Sequence, residues 1–378
     1  MFLFERMFGI ATYMLILFLV CFLLTKTNIS CKSALKFYTL CLCIMAFFYK
    51  PYKTADLYRI FQQMEYLSSI NFNLFWREFI LESSSPVSRL LFWFFGKIGC
   101  NELLPVFSAL FCYSLIFYII NKTQKQYDIS NRTVAVVLFF IMTTSMYISV
   151  IGGIRMMIAL SMISFSYYRA TIEKKIKLID VLFFIASIFT HAMSFVVFGI
   201  IALSLLLDSE KNTFKRLGYI FSIGVIGSIF FIKFSGTVHG LYEKFLEYVL
   251  GDKYSDPWEY LMGVLIIISL IAVFFEFNPI LRSDKFTEIN KYNISAAFCI
   301  IFALCFCFEF SMFYRFGGHL AVLFSIPSMM ISIERTENNP SLIFKGTNLR
   351  SLIIMLSCII AVISCTRGSL CSLKFFEL

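Results

Sequence analysis

The sequence predicts an all-α, polytopic integral membrane protein: a single helical bundle of about 11–12 transmembrane helices, with an interfacial or re-entrant helix in its first long outer loop. Three observations lead there. Hydrophobic residues fill 59% of the 378 positions, charged residues fill 15%, and the mean hydropathy is +0.81. Soluble domains carry about a quarter charged residues, so this chain has too little polar surface to cover a water-exposed body. The apolar residues also come in runs of roughly 16 to 20, the length of a helix that crosses hydrocarbon. Finally, lipid offers the backbone no hydrogen bonds, so such runs must be helices; a barrel would show short alternating segments instead.

The candidate spans are Phe8–Leu24, Leu35–Tyr49, Leu103–Ile120, Val134–Val150 and Met156–Tyr168, followed by a long apolar stretch, Leu178–Leu207. Leu217–Phe234, Tyr260–Phe275, Ile294–Phe308, Gly318–Ile333 and Leu352–Cys365 complete the set. They form one membrane domain over residues 1–378, because no Pro- or Ser-rich linker and no internal repeat divides them. Met1–Leu24 reads as the first span and not as a signal peptide: Glu5 sits beside Arg6, and no small-residue cleavage site follows. Cys21, Cys41, Cys43, Cys112, Cys299, Cys305, Cys307 and Cys358 lie inside apolar runs without a C-x-x-C pair, so they read as small hydrophobic fillers.

A net charge of +10 would suggest nucleic acid in a soluble protein. Here Lys and Arg collect between the apolar runs, which points to loops at an anionic cytoplasmic leaflet and to no nucleic acid. The strongest such loop is Arg169–Lys177. Others hold Lys26 and Lys32; Lys122, Lys125 and Arg132; Lys211, Lys215 and Arg216; Arg282, Lys285 and Lys291; and Arg335, Lys345 and Arg350. All of them share one side only under two conditions. Leu178–Leu207 must go out and back as a pair of short helices turning near His191, and Leu90–Ile98 must lie in the interface or re-enter without crossing. About 30 residues is long for one span and about 9 is short, so both follow. Both termini then lie outside, with about twelve crossings.

This topology collects Lys50–Asn101, the turn Gly152-Gly153-Ile154-Arg155, the apex at His191, the acidic loop Ser235–Glu259 and a turn at Tyr314-Arg315 on the outer side. In the first of these, Leu57, Ile60, Phe61, Met64 and Leu67 recur at helical spacing, and Phe72, Phe75, Trp76 and Phe79 follow. Such a segment lies along the membrane surface with Trp76 at headgroup depth.

Ionisable groups beside spans are the informative ones, since placing them near hydrocarbon costs several kcal/mol. Arg155 follows two glycines at a span's outer mouth, where its planar fork suits phosphate oxygens; an arginine merely snorkelling to headgroups is the plainer alternative. His191 stands in an otherwise apolar sequence at an outward apex. Arg315 and His319 are four residues apart on one helix face with Gly317 and Gly318 between them, and Glu309 is the simplest ion-pair partner for Arg315. Asp56, Glu65, Glu78, Glu82, Arg59, Arg77 and Arg89 belong to the first outer segment, and most read as its solvated face. His239, Asp252 and Asp256 read as loop surface. The chain has no G-x-x-x-x-G-K-[ST] loop, no H-E-x-x-H, no G-x-S-x-G and no metal-spaced Cys/His cluster, so no cofactor and no metal are expected.

These features together resemble the bacterial polysaccharide polymerases of the Wzy and EpsG-like type. The resemblance is carried by Ala55-Asp56-Leu57-Tyr58-Arg59-Ile60-Phe61, by Ser85-Pro86-Val87-Ser88-Arg89 before an aromatic run, and by Ile151-Gly152-Gly153-Ile154-Arg155 with Ile158-Ala159. Ile185-Ala186-Ser187-Ile188-Phe189-Thr190-His191-Ala192-Met193-Ser194 and Tyr314-Arg315 complete it. The spacing of Asp56 and Tyr58 departs from the Asp-x-x-Tyr-like pattern of that family.

The resemblance implies an enzyme of the bacterial inner membrane with its active face periplasmic. Such an enzyme joins undecaprenyl-pyrophosphate-linked oligosaccharide repeat units into O-antigen, capsule or exopolysaccharide. Its partners would be that lipid-linked oligosaccharide and the membrane, with a chain-length regulator and a flippase of the same pathway. Read against that chemistry, Arg155 and Arg315 supply positive charge to the leaving pyrophosphate and His191 acts as the base. Asp56, Tyr58, Arg89, Tyr314 and His319 bind substrate. A flippase for the same units, a membrane acyltransferase using His191, and a ligase that moves finished glycan are the competing readings.

Overall fold

The computed structural model describes residues 2–27, 29–53, 55–81, 83, 85–144, 146–208, 257–280, 287–307, 310–338 and 348–366. The expected span Leu217–Phe234, nearly all of the acidic loop, and Glu82, Glu309, His239, Asp252 and Asp256 lie outside the described residues.

Every element among the described residues is helical. In chain order these are α1 (Phe2–Lys26), α2 (Cys31–Phe48), α3 (Asp56–Ser69), α4 (Phe72–Phe75) running into a π-helical turn (Trp76–Ile80), and α5 (Pro86–Ile98). Next come α6 (Leu103–Tyr127), α7 (Asn131–Thr143), α8 (Met146–Gly152), α9 (Ile154–Thr171), α10 (Leu178–Thr190) and α11 (Met193–Asp208). The last are α12 (Pro257–Ile280), α13 (Thr287–Cys305), α14 (Phe310–Tyr314) with a π-helical stretch (Arg315–Ala321), α15 (Val322–Asn338) and α16 (Leu349–Thr366). Six described helical runs are long and apolar enough to cross a membrane unaided, and the bent pair α7–α8 makes a seventh. The chain is thus an all-α polytopic membrane protein.

Two runs form the centre. The run Met312–Thr336 is buried through its apolar stretch, and α9 buries nearly every residue after Arg155. α6, α10, α11, α13 and α15 pack around α9, and α12, α13 and α16 flank α15. The peripheral helices, α1, α2, α12 and α16 among them, expose Leu, Ile and Phe side chains, such as Leu15, Phe18, Leu40, Ile268 and Val362. Apolar surface turned outward over a packed interior is what a hydrocarbon solvent requires.

The long apolar stretch does break at the expected place, into α10 and α11 with His191 between them. α5 has 13 residues, about 20 Å of helix and too short to cross. Instead it folds back on α3: Leu57, Ile60, Met64 and Leu67 form the buried stripe of α3. A Cβ on Gly96 of α5 would stand 2.5 Å from the Met64 carbonyl oxygen, so only glycine permits this approach. Phe75 stacks on Trp93 at 5.2 Å, and Lys50 Nζ meets Glu102 Oε1 at 3.1 Å, closing the base of the segment. The segment between α2 and α6 is therefore a folded helical layer.

Two expected elements differ. Val134–Val150 is not one straight helix, because α7 and α8 meet at 55°. Tyr314-Arg315 is not a turn: the helix begins at Phe310 and passes through these residues as a π-helical stretch. Glycine usually signals a helix end, but Gly317 and Gly318 serve close packing here. A Cβ on Gly317 would meet the Ile267 side chain at 3.1 Å, and one on Gly318 would meet the Tyr314 ring at 2.9 Å.

Candidate functional site

The site begins with the α7–α8 break. Ending a helix inside a membrane leaves its last carbonyls without partners, at a cost of several kcal/mol each in hydrocarbon. Three hydroxyls from three distant helices remove that cost. Tyr13 of α1 donates to the Met142 carbonyl at 2.7 Å, Ser364 of α16 donates to Thr143 at 3.0 Å, and Tyr314 donates to Thr144. At the far end of α8, Ser108 of α6 donates to the Val150 carbonyl at 2.6 Å. The break is a constructed feature, and it fixes where α8 delivers the chain to Gly152-Gly153.

α9 starts immediately after. Gly153 is its N-cap at φ −90°, ψ 41°, with no side chain capping the first turn. Its φ is negative, so glycine is not required for conformation, but a Cβ there would stand 3.0 Å from the Ser149 carbonyl oxygen. A Cβ on Gly152 would meet nothing within 4 Å, which leaves open room in front of the N-terminus of α9. The first turn of α9 carries the positive end of the helix dipole.

Arg155 projects from this first turn as an exposed side chain on an otherwise buried helix. Its charged neighbours are Asp56 at the start of α3, Arg89 on α5 and Arg315 in the π-helical stretch. Three chain segments widely separated in sequence thus bring Asp56, Arg89 and Arg315 within electrostatic reach of Arg155. Among the described residues Asp56 is the carboxylate of this group, and it lies 3.7 Å from a further arginine, Arg59. Arg89 reaches Gln63 at 3.4 Å. Arg155 and Arg315 make no ion pair among the described residues, and Arg315 is half-buried. Like charges repel at such range, so the cluster is under electrostatic strain that an anion would relieve.

Tyr314 and His319 lie behind the cluster and not on its open face. His319 is 2% exposed, shares a 2.9 Å hydrogen bond between Nε2 and Ser149 Oγ, and meets the edge of the Tyr314 ring at a centroid distance of 4.9 Å. His319 thus ties α8 to the π-helical stretch, and Tyr314 ties the end of α7 to it. Tyr58 is half-buried on α3. Ser149 was not singled out from the sequence; its signal is the polar Thr143-Thr144-Ser145 run just before it, in the middle of an apolar segment.

His191 ends α10. Arg169 of α9 pairs with Asp180 of α10 at 2.9 Å, which fixes the register of the two antiparallel helices. From that level α9 rises about 21 Å to Arg155 and α10 about 17 Å to His191, so the histidine stands at the Arg155 end about one turn short. Its Nδ1 accepts the Met193 N–H at 3.1 Å. An imidazole that accepts through Nδ1 carries its proton on Nε2 in the neutral form, so Nε2 is a hydrogen-bond donor.

The opposite end gathers the basic loops. Glu173 joins Lys122 and Arg169, and Lys174 and Lys291 meet Glu288. Glu334 holds the Ser130 hydroxyl at 2.7 Å, ahead of Arg132. The cationic loops and the Arg155 cluster thus occupy opposite ends of one bundle.

The class defined by this geometry is a polytopic helical membrane protein with a cluster of arginines around Arg155 at one end. A family model described as the EpsG family matches residues 57–370, and the chain belongs to that family of polysaccharide polymerase-like membrane proteins. No curated protein and no solved structure matches the chain. The matched region begins one residue after Asp56 and contains Arg89, Arg155, His191 and Arg315.

Proposed function

We propose that this chain is a glycan polymerase that elongates O-antigen, capsule or exopolysaccharide from undecaprenyl-pyrophosphate-linked repeat units, with the Arg155 end at the outer face of the bacterial inner membrane. The observation that carries this reading is the convergence of Arg89, Arg155 and Arg315 with Asp56 as the described counter-charge. A lipid pyrophosphate brings the negative charge this cluster lacks.

The reaction breaks the bond between the anomeric carbon of the growing glycan and its pyrophosphate oxygen. It forms a bond from that carbon to a hydroxyl of the incoming unit, whose proton must leave. Charge builds on the departing pyrophosphate as the bond breaks, and Arg155 and Arg315 stabilise it through forked hydrogen bonds. The helix N-terminus adds to that field. His191 suits donation from Nε2 to a phosphate oxygen better than removal of a proton, because Met193 occupies its Nδ1 lone pair. The hydroxyl proton is assigned to Asp56, the described carboxylate of the cluster. Tyr58 and Arg89 bind the saccharide, while Tyr314 and His319 brace the α7–α8 break and α8.

A broken span is also a feature of transporters, where freed carbonyls bind ions. Here the carbonyls of Met142, Thr143 and Thr144 accept protein hydroxyls, which favours the polymerase over a flippase. The test is the surface-glycan profile of a deletion strain complemented with R155A, R315A or H191A. Long chains should fall about 100-fold for each arginine variant, single repeat units should accumulate on the lipid-linked acceptor, and the protein should insert normally. Full-length glycan from all three variants overturns the assignment.

A further inference from the structure

A second feature lies at the far end of the bundle, between α1, α7 and α16. A groove of about 380 Å³ is lined there by one face of each helix: Phe18, Cys21, Thr25 and Lys26 of α1; Arg132, Ala135, Val136 and Phe139 of α7; and Arg350, Ile354 and Cys358 of α16. On each helix the cation stands at the same end of the groove, and mostly apolar side chains line about two turns beyond it, about 11–12 Å. Arg350 is steered across the groove by a 3.2 Å hydrogen bond from Nη2 to Thr133 Oγ1. Among the described residues no carboxylate lines the groove; the nearby Glu334 is engaged by the Ser130 N–H and hydroxyl at 3.1 and 2.7 Å. α7 and α16 also begin at this end, so two positive helix termini face it.

We propose that this groove is a binding site for an anionic diacyl phospholipid, its phosphate held by Lys26, Arg132 and Arg350 and one acyl chain laid along Phe18, Val136, Phe139 and Ile354. Lipid that merely surrounds a protein needs no converging cations; three of them from helices more than a hundred residues apart, above an apolar trough, match a charged head on an apolar tail. The site would couple the fold of the α1–α7–α16 corner to the leaflet it faces, independently of the saccharide chemistry.

The experiment is native mass spectrometry of the intact, detergent-purified chain after addition of phosphatidylglycerol or phosphatidylcholine with identical acyl chains. Retention of phosphatidylglycerol should exceed that of phosphatidylcholine about tenfold or more, and the double variant R132Q/R350Q should remove the difference. R132K/R350K should restore much of it and shows that the double variant fails for want of charge and not of fold. A135W, which fills the trough and leaves every cation, should lower retention of both lipids, whereas K97Q at the opposite end should change nothing. Equal retention of the two lipids by the unaltered chain, or wild-type preference in R132Q/R350Q, overturns the proposal.

Discussion

Arg155 and Arg169 stand at opposite ends of α9, and the protein surrounds them in opposite ways. Arg169 is 6% exposed, lies 2.9 Å from Asp180 and 3.6 Å from Glu173, and stacks over Phe165. Its charge is fully answered by its surroundings. Arg155 is exposed in front of an uncapped helix start, and its nearest charges are two further arginines and Asp56. A fold uses the first arrangement to lock helices in register. The second costs stability, and it is where the proposed pyrophosphate would be held.

That contrast can be broken at either end. The largest effect on stability should come from D180A, which leaves Arg169 buried beside an absent partner. About 3–5 kcal/mol should be lost, read as a collapse in membrane yield and in the thermal midpoint of purified protein. R155A should do the reverse, keeping yield and melting temperature while activity disappears; a melt that falls as far as that of D180A would make Arg155 structural.

S149A is intermediate. It strips His319 of its hydroxyl partner in a buried place and should cost about 1–3 kcal/mol, with glycan elongation reduced because α8 no longer holds the start of α9. Unchanged stability would mean that the Ser149–His319 contact does not brace the break. K50Q should be the mildest. The Lys50–Glu102 pair is partly exposed, and its loss should cost no more than about 1 kcal/mol in a chemical-denaturation or thermal series.

Much of this contrast was legible before any fold was known, because lipid makes charge conspicuous. The stretch Leu178–Leu207 is too long for one helix, and a histidine at its middle marks the turn between α10 and α11. The stripe Leu57, Ile60, Met64 and Leu67 is buried as its spacing implies. Arg155 and Arg315 were recognised as charges beside spans, and the structure puts them within reach of each other. The convergence of Arg89 and Asp56 on the same point depends on α5 folding back over α3 at Gly96, a tertiary contact with no local signature. The α7–α8 break was hidden for a related reason: Thr143 and Thr144 sit in an apolar run, and the hydroxyls that satisfy the break come from residues 13, 314 and 364. Gly317 and Gly318 misled in the other direction, since a glycine pair reads as a helix end and here permits packing within one.

The most direct test of the account is elongation by the purified chain supplied only with lipid-pyrophosphate-linked repeat units, with no nucleotide sugar present. The account predicts that the unaltered protein makes oligomers of those units and that R155A, equally well folded, makes them at least about 100-fold more slowly. Oligomers formed at the same rate by R155A, or none formed by the unaltered chain until a nucleotide sugar is added, would contradict it.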